Sequence, residues 1–185
     1  MFLKRDDPHL LIIGMTGVKM GDRFLQVGCE HGGRLAAVAG KVGLSGRAVL
    51  VAPDEASAER GRKGAEHAGV LIEIEVAPPT QLPVDADDFD LAIVDDSGGL
   101  LGAMGTEDRA KSMREIRRVL RPAGRALLLG PAPRGGIGAF LSRASEGPRF
   151  ADAAQNALEA QGFKAVRTLA ERDGLAFVEG TKPRR

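Results

Sequence analysis

The loop Gly28 to Gly33, GCEHGG, sets a cysteine, a carboxylate and an imidazole side by side. An imidazole beside a carboxylate can work as an acid or base near neutral pH, so Glu30 and His31 are candidates for proton transfer. The structural alternative is that they cap the helix that follows. Cys29 could be a nucleophile, because a thiolate is stabilised at a helix N-terminus. No chemistry is assigned to it. A second pair, Asp95 and Asp96, closes the apolar run Phe89-Asp-Leu-Ala-Ile-Val94. Two acids there could orient an amine or hydroxyl, or hold a proton with a raised pKa. As loop acids they would instead be solvated and cap Gly98 and Gly99. His9, His31 and His67 are far apart and lack ligand spacing, so no metal site is expected. PAPRGGIG, from Pro131 to Gly138, is glycine-rich enough for a mobile lid with Arg134 as an anion contact, or for a plain crossover.

Short apolar runs alternate with helical patterns along the whole chain. Phe24-Leu-Gln-Val27 precedes the GCEHGG loop, and Leu35, Ala36, Val38, Ala39 and Val42 then recur at helical spacing. Ala48 to Ala52 reads as a buried strand. Asp54 is placed to cap a helix over 55–68, whose Ala/Gly inner face suits close packing on a sheet. Leu71 to Val76 alternates like an outer strand, and Phe89 to Val94 is buried in character. Thr106 starts a helix with acids in its first turn. The turn Pro122-Ala-Gly124 leads to a strand at Ala126 to Leu129, a helix follows from Phe150 to Gln161, and two strands close on an Arg172-Asp-Gly174 hairpin turn. Alternating strands and helices predict a parallel sheet covered on both faces, with one antiparallel strand from the hairpin. Ligands in such sheets bind beyond the carboxyl ends of the strands, where strand order reverses. The GCEHGG loop is neither a GxGxxG fingerprint nor a P-loop, and glycine could be needed there for geometry alone.

Composition narrows the partners. The chain has 185 residues and 43% hydrophobic content, enough for one core. Lys and Arg number 26 against 25 acids, so no global field gathers polyanions or anionic membranes. With no Trp, no Tyr and seven Phe, aromatic platforms for single-stranded nucleic acid are scarce. At least Phe24, Phe89, Phe163 and Phe177 fall in or beside strands and are expected in the core. One cysteine cannot form an internal disulfide, and a cytoplasmic location is expected. No apolar run approaches the roughly 20 residues that span a bilayer, and the first residues carry no signal-peptide core. Arg114, Arg117, Arg118 and Arg121 are expected on a solvated face, and the tail from Lys182 to Arg185 is expected to fray.

Taken in order, DRFLQVGCEHGG, AVLVAPDEA, LPVDADDFDLAIVDD, EIRRVLRPAGRALLLG and GFKAVRTLAERDGLAFVEGTKP resemble a class I S-adenosylmethionine-dependent methyltransferase. The nearest likeness is to the type related to ubiquinone and menaquinone C-methyltransferases, from about Gly21 to Lys182. The resemblance implies an α/β, Rossmann-like sandwich: a seven-stranded, mostly parallel sheet with one antiparallel strand and helices on both faces. It implies one domain over 1–185, with a short N-terminal segment at 1–20 and a core at 21–182.

It also implies S-adenosylmethionine as cofactor, and here the motif positions depart from the family. Gln26 stands for the acid of the first motif and Glu30 for its middle glycine, while Gly28 and Gly32 remain. Ala52 stands where the family's ribose-binding acid would be, followed by Pro53, with Asp54 two residues late. Pro78 matches the position of an adenine-contacting acid. Each charge-assisted hydrogen bond lost is worth roughly 1.5–3 kcal/mol, so losing the ribose clamp would weaken binding by about tenfold to a hundredfold or more. Against this, Glu30-His31 resembles the acid–His pair of a transfer-RNA adenine methyltransferase family. Glu30 could pair with the cofactor's ammonium and Asp54 could reach the ribose. The expected cofactor contacts are therefore Gly28, Glu30, His31, Gly32, Asp54 and Asp95, with no catalytic residue identified. The expected function is methyl transfer to a small molecule through a non-standard or impaired cofactor site. The alternatives are an inactive binding or regulatory protein of the same fold, or a scaffold acting as a homodimer.

Overall fold

A computed structural model of the chain describes residues 9–132 and 149–184. Its elements are α1 (Leu10–Thr16), β1 (Arg23–Val27), α2 (Gly32–Val42), β2 (Arg47–Ala52), α3 (Glu55–Ala68), β3 (Glu73–Val76), β4 (Phe89–Asp95), α4 (Thr106–Val119), β5 (Leu120–Pro131), α5 (Phe150–Ala160), β6 (Lys164–Arg172) and β7 (Leu175–Thr181). The seven strands form one sheet in the order β3-β2-β1-β4-β5-β7-β6. β1 to β5 pair in parallel, and β7 runs antiparallel to both neighbours. The order reverses between β1 and β4, which places the expected crevice at their carboxyl ends.

Strand alternation divides the core in two. Leu25, Val27, Ala92, Val94 and Leu128 face α4 and α5 through Met113, Ile116, Ala154 and Leu158. Phe24, Leu50, Leu91, Ile93 and Leu127 face the other way, onto Ile12 of α1, Leu35, Val38 and Val42 of α2 and Ala58 of α3. Phe24, Phe89, Phe163 and Phe177 are all buried, as their strand positions predict. The small inner face of α3 lets it lie close: a Cβ at Gly61 would come within 2.3 Å of Leu50 Cδ2. Asp54 caps α3 as expected, its Oδ1 accepting from Ser57 N at 2.7 Å.

Four local expectations are corrected. Pro122-Ala-Gly124 does not precede a strand but interrupts one. β5 starts at Leu120, and its register against β4 shifts between Phe89 and Leu91, with Ala123 at φ +66°. Lys182 is not frayed. Its amide donates to Gly124 O and its ammonium to Leu120 O and Asp87, so the end of the chain closes the β5 irregularity. The arginines of α4 do not share one solvated face. Arg118 donates to the carbonyls of Leu82 and Val84 and to Glu115, pinning the loop that leads into β4, and Arg121 pairs with Asp90. The outer strand β3 is shorter than its pattern, beginning at Glu73. The lid candidate falls, from residue 133 onward and with Arg134, outside the described residues.

Candidate functional site

The crevice is built on the turn after β1. Gly28 has φ +80°, and a Cβ there would lie 2.9 Å from Leu100 Cδ2 and 3.0 Å from Asp95 O, so glycine is required twice over. Buried Gln26 donates its amide to Gly28 O at 2.8 Å. An ionised acid cannot donate, so glutamine in the family's acidic position has a local reason of its own. Cys29 N donates to Ser57 Oγ at 2.9 Å, Arg60 Nε to Cys29 O at 2.6 Å, and Glu30 N to Asp95 Oδ2 at 2.9 Å. The turn is thus held from α3 on one side and from β4 on the other.

Asp95 and Asp96 are buried, with 4% and 6% exposure, which corrects the expectation of solvated loop acids. The chain after β4 folds back so that Leu101 enters the core and Leu100 packs on it, and this covers both carboxylates. Asp95 Oδ1 accepts from Ser97 Oγ at 2.5 Å and Ser97 N at 3.2 Å, and Asp96 Oδ1 accepts from Leu101 N at 2.5 Å. Both acids hold backbone in place around the cleft. Burial pushes the Asp96 carboxyl above its ordinary value, and the Asp95 charge adds to this, while the amides of Leu101 and Gly102 act against it.

The raised value has a sign that can be tested. Between the ordinary carboxylate value of about 3.9 and the raised one, the folded state holds the proton more tightly than the unfolded state. That contribution to stability is therefore lost as pH rises through this window. The stability of the wild type relative to Asp96→Asn should fall as pH rises above about 4, measured by urea unfolding. A flat or rising difference would exclude the shift.

Burial first, and then the Asp95 charge, push the Cys29 thiol up to about 12 despite the opposing pull of Arg60. A thiol so raised is protonated at neutral pH and is no nucleophile. Cys29 packs in the core on the α2 side of the sheet.

The expected site residues divide between two concavities. Gly28, Glu30, Asp54 and Asp95 line a cleft of about 210 Å³ together with Ser57, Arg60 and Gly98. The Glu30 Oε2 is only 2.5 Å from where a Cβ of Gly98 would be and 3.8 Å from Arg60 Nη2. Asp54, exposed at the cleft edge, spends one oxygen on the α3 cap. His31 and Gly32 instead line an open groove of about 880 Å³ between α2 and α3, where His9 and His67 also lie. The three histidines that the sequence separates thus meet in one groove. Among the described residues, no group of three or more His, Cys, Asp or Glu could hold a metal ion.

Gly32 makes the helix crossing possible, since a Cβ there would lie 2.0 Å from Arg60 O. Ala52 is fully buried in the core, and Pro78 is exposed and lines neither concavity. Arg34, Arg60, Ser57 and Ser97 were not singled out from the sequence. Only Ser57, three residues after the cap Asp54, carries a local signal. Arg34 Nη1 donates to Ser97 Oγ at 3.2 Å, a second link across the cleft between the α2 and β4 loops.

Residues 24–124 match the family described as a methyltransferase domain. The ubiquinone/menaquinone biosynthesis C-methyltransferases UbiE of Idiomarina loihiensis and Cronobacter sakazakii are each 29% identical over 119 residues, covering 63% of this chain and 45% of theirs. The chain thus spans less than half the length of these curated relatives. A SAM-dependent methyltransferase from Aquifex aeolicus superposes with TM-score 0.72 at 18% identity, over 97% of this chain and 95% of that one. A SAM-dependent O-methyltransferase from Thermotoga maritima does so with TM-score 0.71 at 16% identity, over 100% and 67%. These two likenesses establish the fold. Among the described residues, no helix is long and apolar enough to cross a membrane.

Proposed function

The chain belongs to the methyltransferase-domain family of class I, S-adenosylmethionine-dependent proteins, and from that premise we propose that it transfers methyl groups to a small molecule through a non-standard cofactor cleft. The observation that carries the non-standard part of this reading is the position of Glu30. Where the family has glycine, its carboxylate lies against Gly98 on the lining of a cleft of about 210 Å³. Ligand sites of this kind usually measure about 300–1,000 Å³. A cleft of this volume with Glu30 on its lining is narrow for S-adenosylmethionine, which would supply an electrophilic methyl on sulfur.

What the chain's own residues do can be stated without the cofactor. Gly28 brings backbone close to any ligand, and Asp95 fixes the Glu30 amide. Arg60 holds the Cys29 carbonyl and draws Glu30 toward α3. Asp54 is the acid left to meet a ribose, through the oxygen that the cap does not use. Small-molecule acceptors are favoured by the balanced net charge and by a cleft without Phe, and they agree with the printed names of the relatives.

Isothermal titration with S-adenosylmethionine and S-adenosylhomocysteine tests this. Saturable binding is expected, at a Kd of about 0.1–1 mM. Absence of heat at high protein and ligand concentration would sink the enzyme reading, and a low-micromolar Kd would show that Glu30 does not obstruct.

A further inference from the structure

We propose that the groove between α2 and α3 binds a phosphorylated small molecule. Its volume of about 880 Å³ lies within the range of ordinary ligand sites, and it runs from the loop after β1 along α2 and α3. Among the described residues its lining is unbalanced in charge: Arg34 from α2 and Arg60 and Lys63 from α3 stand against a single carboxylate, Glu30. The cations keep donors to spare. Arg34 donates to a neutral hydroxyl, Arg60 gives its Nε to the Cys29 carbonyl while its Nη2 stands 3.8 Å from Glu30, and Lys63 stands 3.6 Å from Glu59 while remaining 73% exposed.

Guanidinium groups present paired donors that match phosphate oxygens, and an ammonium adds a mobile point charge. His31 and His67 add ring N–H donors within the same groove. The start of α2, which has no side-chain cap and no acid in its first turn, adds to the pull on an anion without being its source.

A small phosphate ester is favoured over a nucleic-acid strand. Among the described residues the lining has no Phe on which a base could stack, and the chain's net charge of +1 offers no extended field. The proposal does not depend on the methyltransferase reading.

The probe is sodium tripolyphosphate, titrated calorimetrically at low ionic strength into the wild type, Lys63→Glu and Lys111→Glu. Lys63 lines the groove, whereas Lys111 lies on α4 and pairs with Glu107. Saturable one-site binding is expected, weakened at least about tenfold by Lys63→Glu and less than about twofold by Lys111→Glu. No saturation by about 10 mM would overturn the proposal, as would equal weakening by both variants, which marks diffuse surface charge. A single-stranded oligonucleotide that binds more tightly per phosphate, and is equally sensitive to Lys63→Glu, would overturn it in favour of nucleic acid.

Discussion

Replacing Gly64 with alanine should cost the fold about 3 kcal/mol or more, the upper end for overpacking, read as a fall in Tm of about 6–12 °C. A Cβ on Gly64 would lie 2.3 Å from both the carbonyl carbon and oxygen of Gly32, and one on Gly32 would lie 2.0 Å from Arg60 O. Backbone meets backbone on both sides, so no side chain can rotate to make room. α2 and α3 would have to separate, and each is pinned to the sheet by its own buried face, Leu35, Val38 and Val42 on one and Ala58, Gly61 and Ala65 on the other.

The control lies in the other helix of the crossing. Gly40 of α2 has only an ordinary contact, 3.7 Å to Val70 Cγ1, and Gly40→Ala should stabilise by about 0.5–1 kcal/mol because alanine is the better helix former. Thermal unfolding of the two variants should therefore shift in opposite directions. If Gly64→Ala melts with the wild type, the close crossing is wrong. The crossing matters beyond stability, since it carries the Arg60 guanidinium to the Cys29 carbonyl and so helps to shape the cleft.

What the sequence discloses about this protein follows from the range over which each signal acts. Strand and helix identities are local, carried by runs such as Phe89 to Val94 and by the cap at Asp54, and they are legible without coordinates. The hairpin turn is legible for the same reason: Asp173 and Gly174 both take positive φ, as a tight turn matched to strand twist requires.

The contacts that make the site are long-range. Glu30 N meets Asp95 across 65 positions, and Arg60 meets the Cys29 carbonyl across 31. Nothing near Asp95 and Asp96 in sequence says that Leu100 and Leu101 will fold over them, and so they read as solvated. Gln26 reads as a lost acid until its donated bond to Gly28 is seen. The histidines read as unrelated because positions 9, 31 and 67 share a groove only once α2 and α3 cross. Spacing can place a residue at the right edge of the sheet; which concavity its side chain enters is decided by helix packing.

Glu30→Gly should tighten S-adenosylmethionine binding by about tenfold to a hundredfold, or about 1.4–2.7 kcal/mol. With Glu30 resting on Gly98, the cleft accepts a ligand only in the fraction of molecules whose carboxylate has swung out, and the apparent Kd is the intrinsic one divided by that fraction. Removing the side chain brings the fraction to one. The substitution should leave the fold nearly intact, because the Glu30 side chain is 44% exposed and its one ion pair, with Arg60, is 3.8 Å long. The Glu30 amide still donates to Asp95.

Glu30→Ala separates the two ways the residue could act. If the obstruction is steric, alanine should recover most of the gain, since it removes every atom that approaches Gly98. If only the backbone freedom of glycine matters, alanine should behave as the wild type does. The opposite outcome has a definite meaning: weaker binding by both variants in parallel titrations would mean that the carboxylate serves as a partner for the cofactor's ammonium. The cleft would then be one that Glu30 completes rather than closes.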